Sequence, residues 1–293
     1  MIVRINPYIS SERYTQLLLR NMSRRNTLQT ILANLLFCAL LALVAGCTAG
    51  NHKTAEEEWV SLFNGKDLDD WIVKIHHHDV GDNYGNTFRV EDGLLKVRYD
   101  QYQEFNERFG HLYYKQPYSR YHLVVEYRFA EPWREDAPSY TKRNSGIMFH
   151  SQDPRTMPRE QDWPISVEFQ LLASLEDGKP RPTGNMCSPG TEVIYEGKMD
   201  PRHCINSSSK TYDVNEWVRA ELIVLGDSLV KHIINGDTVL QYTKPQIGGG
   251  VVNRYDPTHK QDGKLLSEGF IALQSEGQPI DFRKVEIRNL EHK

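Results

Sequence analysis

Downstream of residue 58 no window of the chain sustains an apolar period of 3.6, and this absence constrains the fold more than any motif does. Short apolar-alternating segments separated by turn signals take its place. VSLFNGKDLDDW carries a turn at Asn64-Gly65, and TFRVEDGLLKVRY alternates about Asp92-Gly93, a strong hairpin signal. Further strands are predicted over 121–131, 145–152, 165–174, 217–227, 228–243, 269–276 and 280–290. Many short strands spaced by turns predict an all-β two-sheet sandwich of the jelly-roll kind. Two long segments rich in Gly, Pro and polar residues, 175–212 and 244–268, interrupt the rhythm and are expected to be functional loops. No internal repeat is visible.

The first 46 residues are of another kind. Arg24 and Arg25 precede the apolar run TILANLLFCALLALVAGC, which ends in Val44-Ala45-Gly46-Cys47. A basic start, a short apolar stretch and small residues before a Cys read as a bacterial lipoprotein signal, with Cys47 acylated and Met22 an alternative start. The run is barely long enough to span a bilayer, so a transmembrane anchor is the rival reading. The domain expectation is a signal over 1–46, a lipidated Cys and polar tether over 47–58, and one β domain over 59–293. The location expected is the bacterial cell envelope, with the lipid bilayer as a partner. Formal charge is −4, and removing 1–46 leaves 30 Lys and Arg against 38 Asp and Glu. No basic stripe appears, so nucleic acid is not an expected partner. Of four cysteines only Cys187 and Cys204 remain in the mature domain, and in an exported protein two thiols are expected to pair rather than serve a metal or catalysis.

Strand parity selects the side chains that can carry chemistry. In ISVEFQLL, Ile165, Val167, Phe169 and Leu171 share one face, while Glu168, Gln170 and Leu172 share the other with Ser166. Glu168 is the first candidate for a base or metal ligand and Gln170 for binding hydroxyls; the bland alternative is a solvated face. Asn144 and His150 share a parity on the preceding strand with Gly146 between them, and the imidazole is an alternative base. Gln274 and Glu276 repeat the two-residue spacing, and Glu126 alternates with apolar neighbours. In KIHHHDVGD, His76 and His78 would share a strand face beside Asp79, a conceivable divalent-metal set, with Lys74 a rim contact.

Six pieces in order, LFNGKDLDDW (62–71), FRVEDGLL (88–95), NSGIMFH (144–150), VEFQLL (167–172), HIINGDTV (232–239) and GFIALQSEGQPIDFRKVEIRNL (269–290), resemble the 3-keto-disaccharide hydrolase family, also called 3-keto-glucoside 1,2-lyase/3-keto-2-hydroxyglucal hydratase domains. The chain departs from the commoner pattern at Gln274-Ser275-Glu276, where many members have Gln-x-His, and at Phe149-His150, where Phe-Arg is frequent. The resemblance implies a concanavalin-like sandwich whose concave sheet takes an oxidised disaccharide or glucoside. It implies removal of the C2 proton of a 3-keto sugar with elimination at C1, or hydration of the 2-hydroxyglucal product. It places Glu168, Gln170, Gln274 and Glu276 in the cleft, and His232 in the family's His-x-x-Asn-Gly stretch. Two other readings stand beside it. A glycoside hydrolase on unoxidised glycan would need paired carboxylates, for which Glu126 with Glu168 is the pair the sequence offers. A non-catalytic carbohydrate-binding lipoprotein would need only the sandwich and its aromatics.

Overall fold

Two tight turns fix the register of much of the molecule. Asp92 and Gly93 have φ of 54° and 73°, and Asn235 and Gly236 have 49° and 95°. Two successive left-handed residues match the twist of the flanking strands and close two-residue hairpins. The strand pairs they join are Phe88–Glu91 with Leu94–Val97 and Val230–Ile234 with Asp237–Ile247. The computed structural model describes residues 58–290; the signal, Cys47 and nearly all of the tether lie outside the described residues.

The strands form two antiparallel sheets. The larger runs Lys198–Met199, Thr191–Tyr195, Asp237–Ile247, Val230–Ile234, Val218–Leu225, Arg120–Phe129, Ile280–Asn289, Leu94–Val97 and Phe88–Glu91, with Val60–Ser61 also paired to Ile280–Asn289. The smaller runs Cys204–Ile205, Asn185–Cys187, Val167–Leu172, Asn144–Ser151, Phe270–Ser275, Gly110–Tyr114 and Trp71–Ile75. The protein is an all-β, concanavalin-like sandwich, as its alternation predicts.

The core lies between the sheets. Val167, Phe169, Leu171, Ile147 and Leu273 of the smaller sheet meet Leu123, Val125, Leu222, Val224 and Val285 of the larger in one buried cluster. Each such side chain contributes about 1.5–3 kcal/mol relative to exposure. A one-residue slip of Val167–Leu172 would exchange this set for Glu168 and Gln170, so burial pins the register that puts both on the outer face. Ile165 lies outside the strand and packs instead with Ile247 and Val252.

Gly110–Tyr114 escapes sequence reading because all five residues are buried and no alternation survives. The long segment 175–212 is also more than loop. It contributes Asn185–Cys187 and Cys204–Ile205 to one sheet, and Thr191–Tyr195 and Lys198–Met199 to the other. Cys187 and Cys204 are bonded across the first of these pairs, with Cα atoms 4.1 Å apart.

Candidate active site

The outer face of the smaller sheet carries a cavity of about 370 Å³. Glu168 and Gln170 form its floor from the Val167–Leu172 strand. Asn144 enters from the adjacent strand, which pairs Met148 with Glu168 and Gly146 with Gln170. Gln274 is the penultimate residue of the next strand, Phe270–Ser275, and Glu276 follows just beyond its end. Leu172, Trp163, Pro189 and the Cys187–Cys204 bridge give the walls an apolar component. Leu172, on the parity of the two polar residues, keeps the floor at one carboxylate.

Gly146 makes room for the central acid. A Cβ there would stand 2.6 Å from Glu168 Oε1 and 2.8 Å from its Cγ, so the carboxyl lies across a gap that only glycine leaves open.

Glu168 Oε1, Glu276 Oε2, Asn144 Oδ1 and both polar atoms of Gln274 are buried without a protein partner. An unsatisfied buried polar group costs about 1–3 kcal/mol, so several at one cavity argue for ligand recognition. Gln170 is held by Asn185, whose Nδ2 donates to Gln170 Oε1 at 3.0 Å. Burial raises the Glu168 carboxyl above its ordinary 4.5. Glu276 is pushed well above 4.5 by burial and then by the charge of Glu168, against a downward pull from Arg181. The two acids thus resist ionising together, an arrangement that supports one proton donor beside one acceptor.

Arg181 lines the same cavity, its Nη1 donating to the carbonyls of Arg143 at 3.1 Å and Ala173 at 2.7 Å. Nothing in the local sequence KPRPTGN singles it out. His111 is also absent from the sequence reading. It sits between Lys74 and Gln274 in cross-strand register, with Nε2 lacking a protein partner. Burial and then the Lys74 charge lower its pKa to about 3.

Five of the sequence candidates therefore converge: Glu168, Gln170, Asn144, Gln274 and Glu276. The others do not. His150 is corrected away from the cavity by a bulge: Met148 pairs with Ala272 and Ser151 with Phe270, so two residues oppose Ile271. Its backbone turns left-handed (φ 47°), and its Nε2 reaches the Gly226 carbonyl at 3.1 Å. His232 lies in the core of the sandwich, stacked 4.2 Å from the Phe169 ring, with Gly184 O and Tyr242 Oη as ring partners. Glu126 belongs to the larger sheet and pairs with Arg219 at 3.5 Å and Arg283 at 2.6 Å, so it cannot form a carboxylate pair with Glu168. Lys74 is buried in the smaller sheet but spends its ammonium on the carbonyls of Ile75, His78 and Arg159, outside the cavity lining.

The set His76, His78 and Asp79 does not assemble. The strand ends at Ile75, and His78 Nδ1 pairs with Asp82 at 2.7 Å.

Residues 58–288 match the 3-keto-alpha-glucoside-1,2-lyase-like domain family, and the chain belongs to that family. Membership gives it a carbohydrate-processing role. Among solved structures, two candidate glycosyl hydrolases from Parabacteroides distasonis ATCC 8503 are similar to it. One is 18% identical over 80% of this chain and 100% of that one, with a TM-score of 0.49. The other is 19% identical over 80% and 95%, with a TM-score of 0.48. The carbohydrate binding module CBM66 from Bacillus subtilis aligns over 75% of this chain and 96% of its own at 11% identity, with a TM-score of 0.44. No curated protein matches the chain.

Proposed function

We propose that this protein cleaves 3-keto-glucosides by removing the C2 proton and expelling the C1 substituent, and that the same site hydrates the 2-hydroxyglucal formed. The observation that carries the reading is the Glu168–Glu276 pair, two carboxyls raised by burial and facing one sugar-sized cavity. A ketone at C3 acidifies the C2 proton, so the site needs a base near C2 and donors where the C3 oxygen gains charge. Glu168, in its ionised form, takes the C2 proton. The electron pair of the C2–H bond moves into the C2–C3 bond and onto the C3 oxygen, where the unpaired Gln274 amide donates. As the C3 carbonyl re-forms, the pair becomes the C1–C2 double bond and the C1–O bond breaks. Protonated Glu276 delivers its proton to the leaving oxygen. Asn144 and Gln170 bind hydroxyls, and the Trp163 side of the cavity receives apolar sugar faces.

The pair also favours a second reading, ordinary glycoside hydrolysis, since two carboxyls at one cleft are what that reaction requires. One experiment separates them: full-length protein is given a 3-keto-glucoside and the same glucoside unoxidised, and the released aglycone and the 2-hydroxyglucal are followed. The lyase reading expects turnover of the 3-keto compound alone, slowed by deuterium at C2. Turnover of the unoxidised glucoside alone would overturn it in favour of hydrolysis, and sugar binding without turnover of either would leave a carbohydrate-binding lipoprotein. We further propose that the chain is exported to the bacterial envelope and lipid-anchored through Cys47. The Cys187–Cys204 disulfide supports an oxidising compartment.

A further inference from the structure

We propose that His76, His77 and Glu160 form a binding site for a divalent transition-metal ion of the zinc class, separate from the sugar cavity, which clamps the loop before the Glu168 strand to the edge of the smaller sheet. One ring nitrogen of each histidine and a carboxylate oxygen of Glu160 lie within 4.8 Å of one another. Ligands on tetrahedral zinc stand about 3.4 Å apart, so small side-chain rotations close the set, and three donors leave a fourth position for water. Two imidazoles and a carboxylate suit zinc and its neighbours better than magnesium or calcium, which favour all-oxygen shells.

The backbone is shaped to bring the two rings together. Neighbouring side chains in a strand point to opposite faces. Here His77 adopts a left-handed backbone (φ 71°), and its ring stacks on that of His76 at 3.7 Å and 24°. A bulky residue held in that conformation is a strained feature that a site explains.

The second observation is the state of His76. The residue is 6% exposed, its Nδ1 bonds to the Glu107 carbonyl at 2.9 Å, and its Nε2 has no protein partner. A carbonyl accepting from Nδ1–H leaves Nε2 as a free lone pair, the tautomer of a metal-ligating histidine with its outer partner in place. Glu160 Oε2 stands 2.7 Å from His77 Nδ1. As a metal ligand through Nδ1, His77 keeps its ring proton on Nε2. Arg254, 3.6 Å from Glu160, gives up its contact when the metal arrives. The other such grouping among the described residues, Cys187, His203 and Cys204, is closed to metal by the disulfide.

The two segments are already joined through backbone atoms. His77 N donates to Arg159 O at 3.1 Å, and Arg159 Nε donates to His77 O at 2.6 Å. Trp163, three residues past Glu160, lines the sugar cavity, so the clamp fixes one of its walls.

The test is calorimetric titration of zinc into the full-length, EDTA-stripped, non-reduced protein, with cobalt as a spectroscopic probe of the same site. One zinc per chain is expected, with a rise in Tm and a visible cobalt band of nitrogen and oxygen ligation. His76→Ala and His77→Ala should each weaken binding by at least about 10–100-fold, the loss that even outer partners of a metal ligand produce. Glu160→Gln, at a half-exposed position that tolerates substitution, should weaken it as well, while His78→Ala and Asp79→Ala should bind as wild type does. Failure to bind zinc overturns the proposal. So does equal affinity in a folded His76→Ala/His77→Ala/Glu160→Gln variant, or a comparable loss in His78→Ala or Asp79→Ala.

Discussion

The outer faces of the two sheets carry the same residue types and use them in opposite ways. On the larger sheet three acids have basic partners: Glu126 has Arg219 and Arg283, Glu221 has Arg219 and His122, and Asp281 has Arg98 and Arg128. On the smaller sheet Glu168, Glu276, Gln274 and Asn144 all present buried polar atoms without a protein partner. Alternation alone makes the two faces look alike, since Glu126-x-Arg128 and Glu168-x-Gln170 share one spacing. The difference arises from what lies above them. On the larger sheet the long side chains of neighbouring strands reach one another, so these largely covered acids are paired. Segments 153–166, 175–212 and 244–268 supply cover over the smaller sheet, through Trp163, Arg181, Pro189 and Val251. A covered, unpaired carboxyl is destabilising unless a ligand uses it.

Removing one acid from each face should break the symmetry most plainly. Glu168→Gln keeps the shape of the floor and removes the base, so kcat on a 3-keto-glucoside should fall by about 10²–10⁴-fold. Glu126→Gln, on the paired face, should leave kcat and KM as they are in steady-state assays. Equal losses in the two variants would mean that the cavity is not where the chemistry happens.

How much of this was legible in the sequence follows from which facts are local. Parity within a strand is local, so Val167, Phe169 and Leu171 against Glu168 and Gln170 could be read directly, as could the Asp92-Gly93 hairpin. The single strand predicted over 228–243 is instead two, Val230–Ile234 and Asp237–Ile247, folded back at Asn235-Gly236. The sheet to which a strand belongs is a tertiary fact. Glu126 has the right parity on the wrong sheet, and His232 has a parity that points into the core. A bulge resets parity without a sequence mark, which is why His150 leaves a face that Asn144 keeps. The His76–His77 pairing depends on one left-handed residue just past a strand end, whereas an extended reading pairs His76 with His78. Arg181 and His111 gave no signal because their positions depend wholly on long-range packing.

The comparison sharpens with a change that leaves both acids in place. Gly146→Ala puts a Cβ within 2.6 Å of Glu168 Oε1, so the carboxyl must move while its chemistry survives. Misplacing a catalytic group by about 1 Å can cost about 10²-fold. We therefore expect kcat to fall by about 10–100-fold with the fold retained, as circular dichroism would report. An unchanged kcat would show that the position of Glu168 is not critical.

The smallest effect, and the one that reads both faces on a single axis, is the pH dependence of stability. Burial raises Glu168, so the folded state holds its proton at a pH where the unfolded chain has lost it. Its contribution is therefore fully present below 4.5 and is lost as pH rises through the elevated folded value. Glu221 is pushed up by burial but pulled further down by hydrogen bonds from Arg219 and His122, leaving it below 4.5. Its contribution is present above 4.5 and is lost as pH falls through the depressed value. Urea unfolding midpoints from about pH 3 to about pH 9 should then separate in opposite senses. Relative to wild type, Glu168→Gln gains stability as pH climbs past 4.5, because the glutamine never bears the buried charge. Glu221→Gln is less stable than wild type by a constant amount above 4.5 and converges on it as pH falls below 4.5 through the depressed value. If the two difference curves ran parallel, the faces would share one electrostatic environment, and the contrast between a paired surface and a ligand-binding floor would fail.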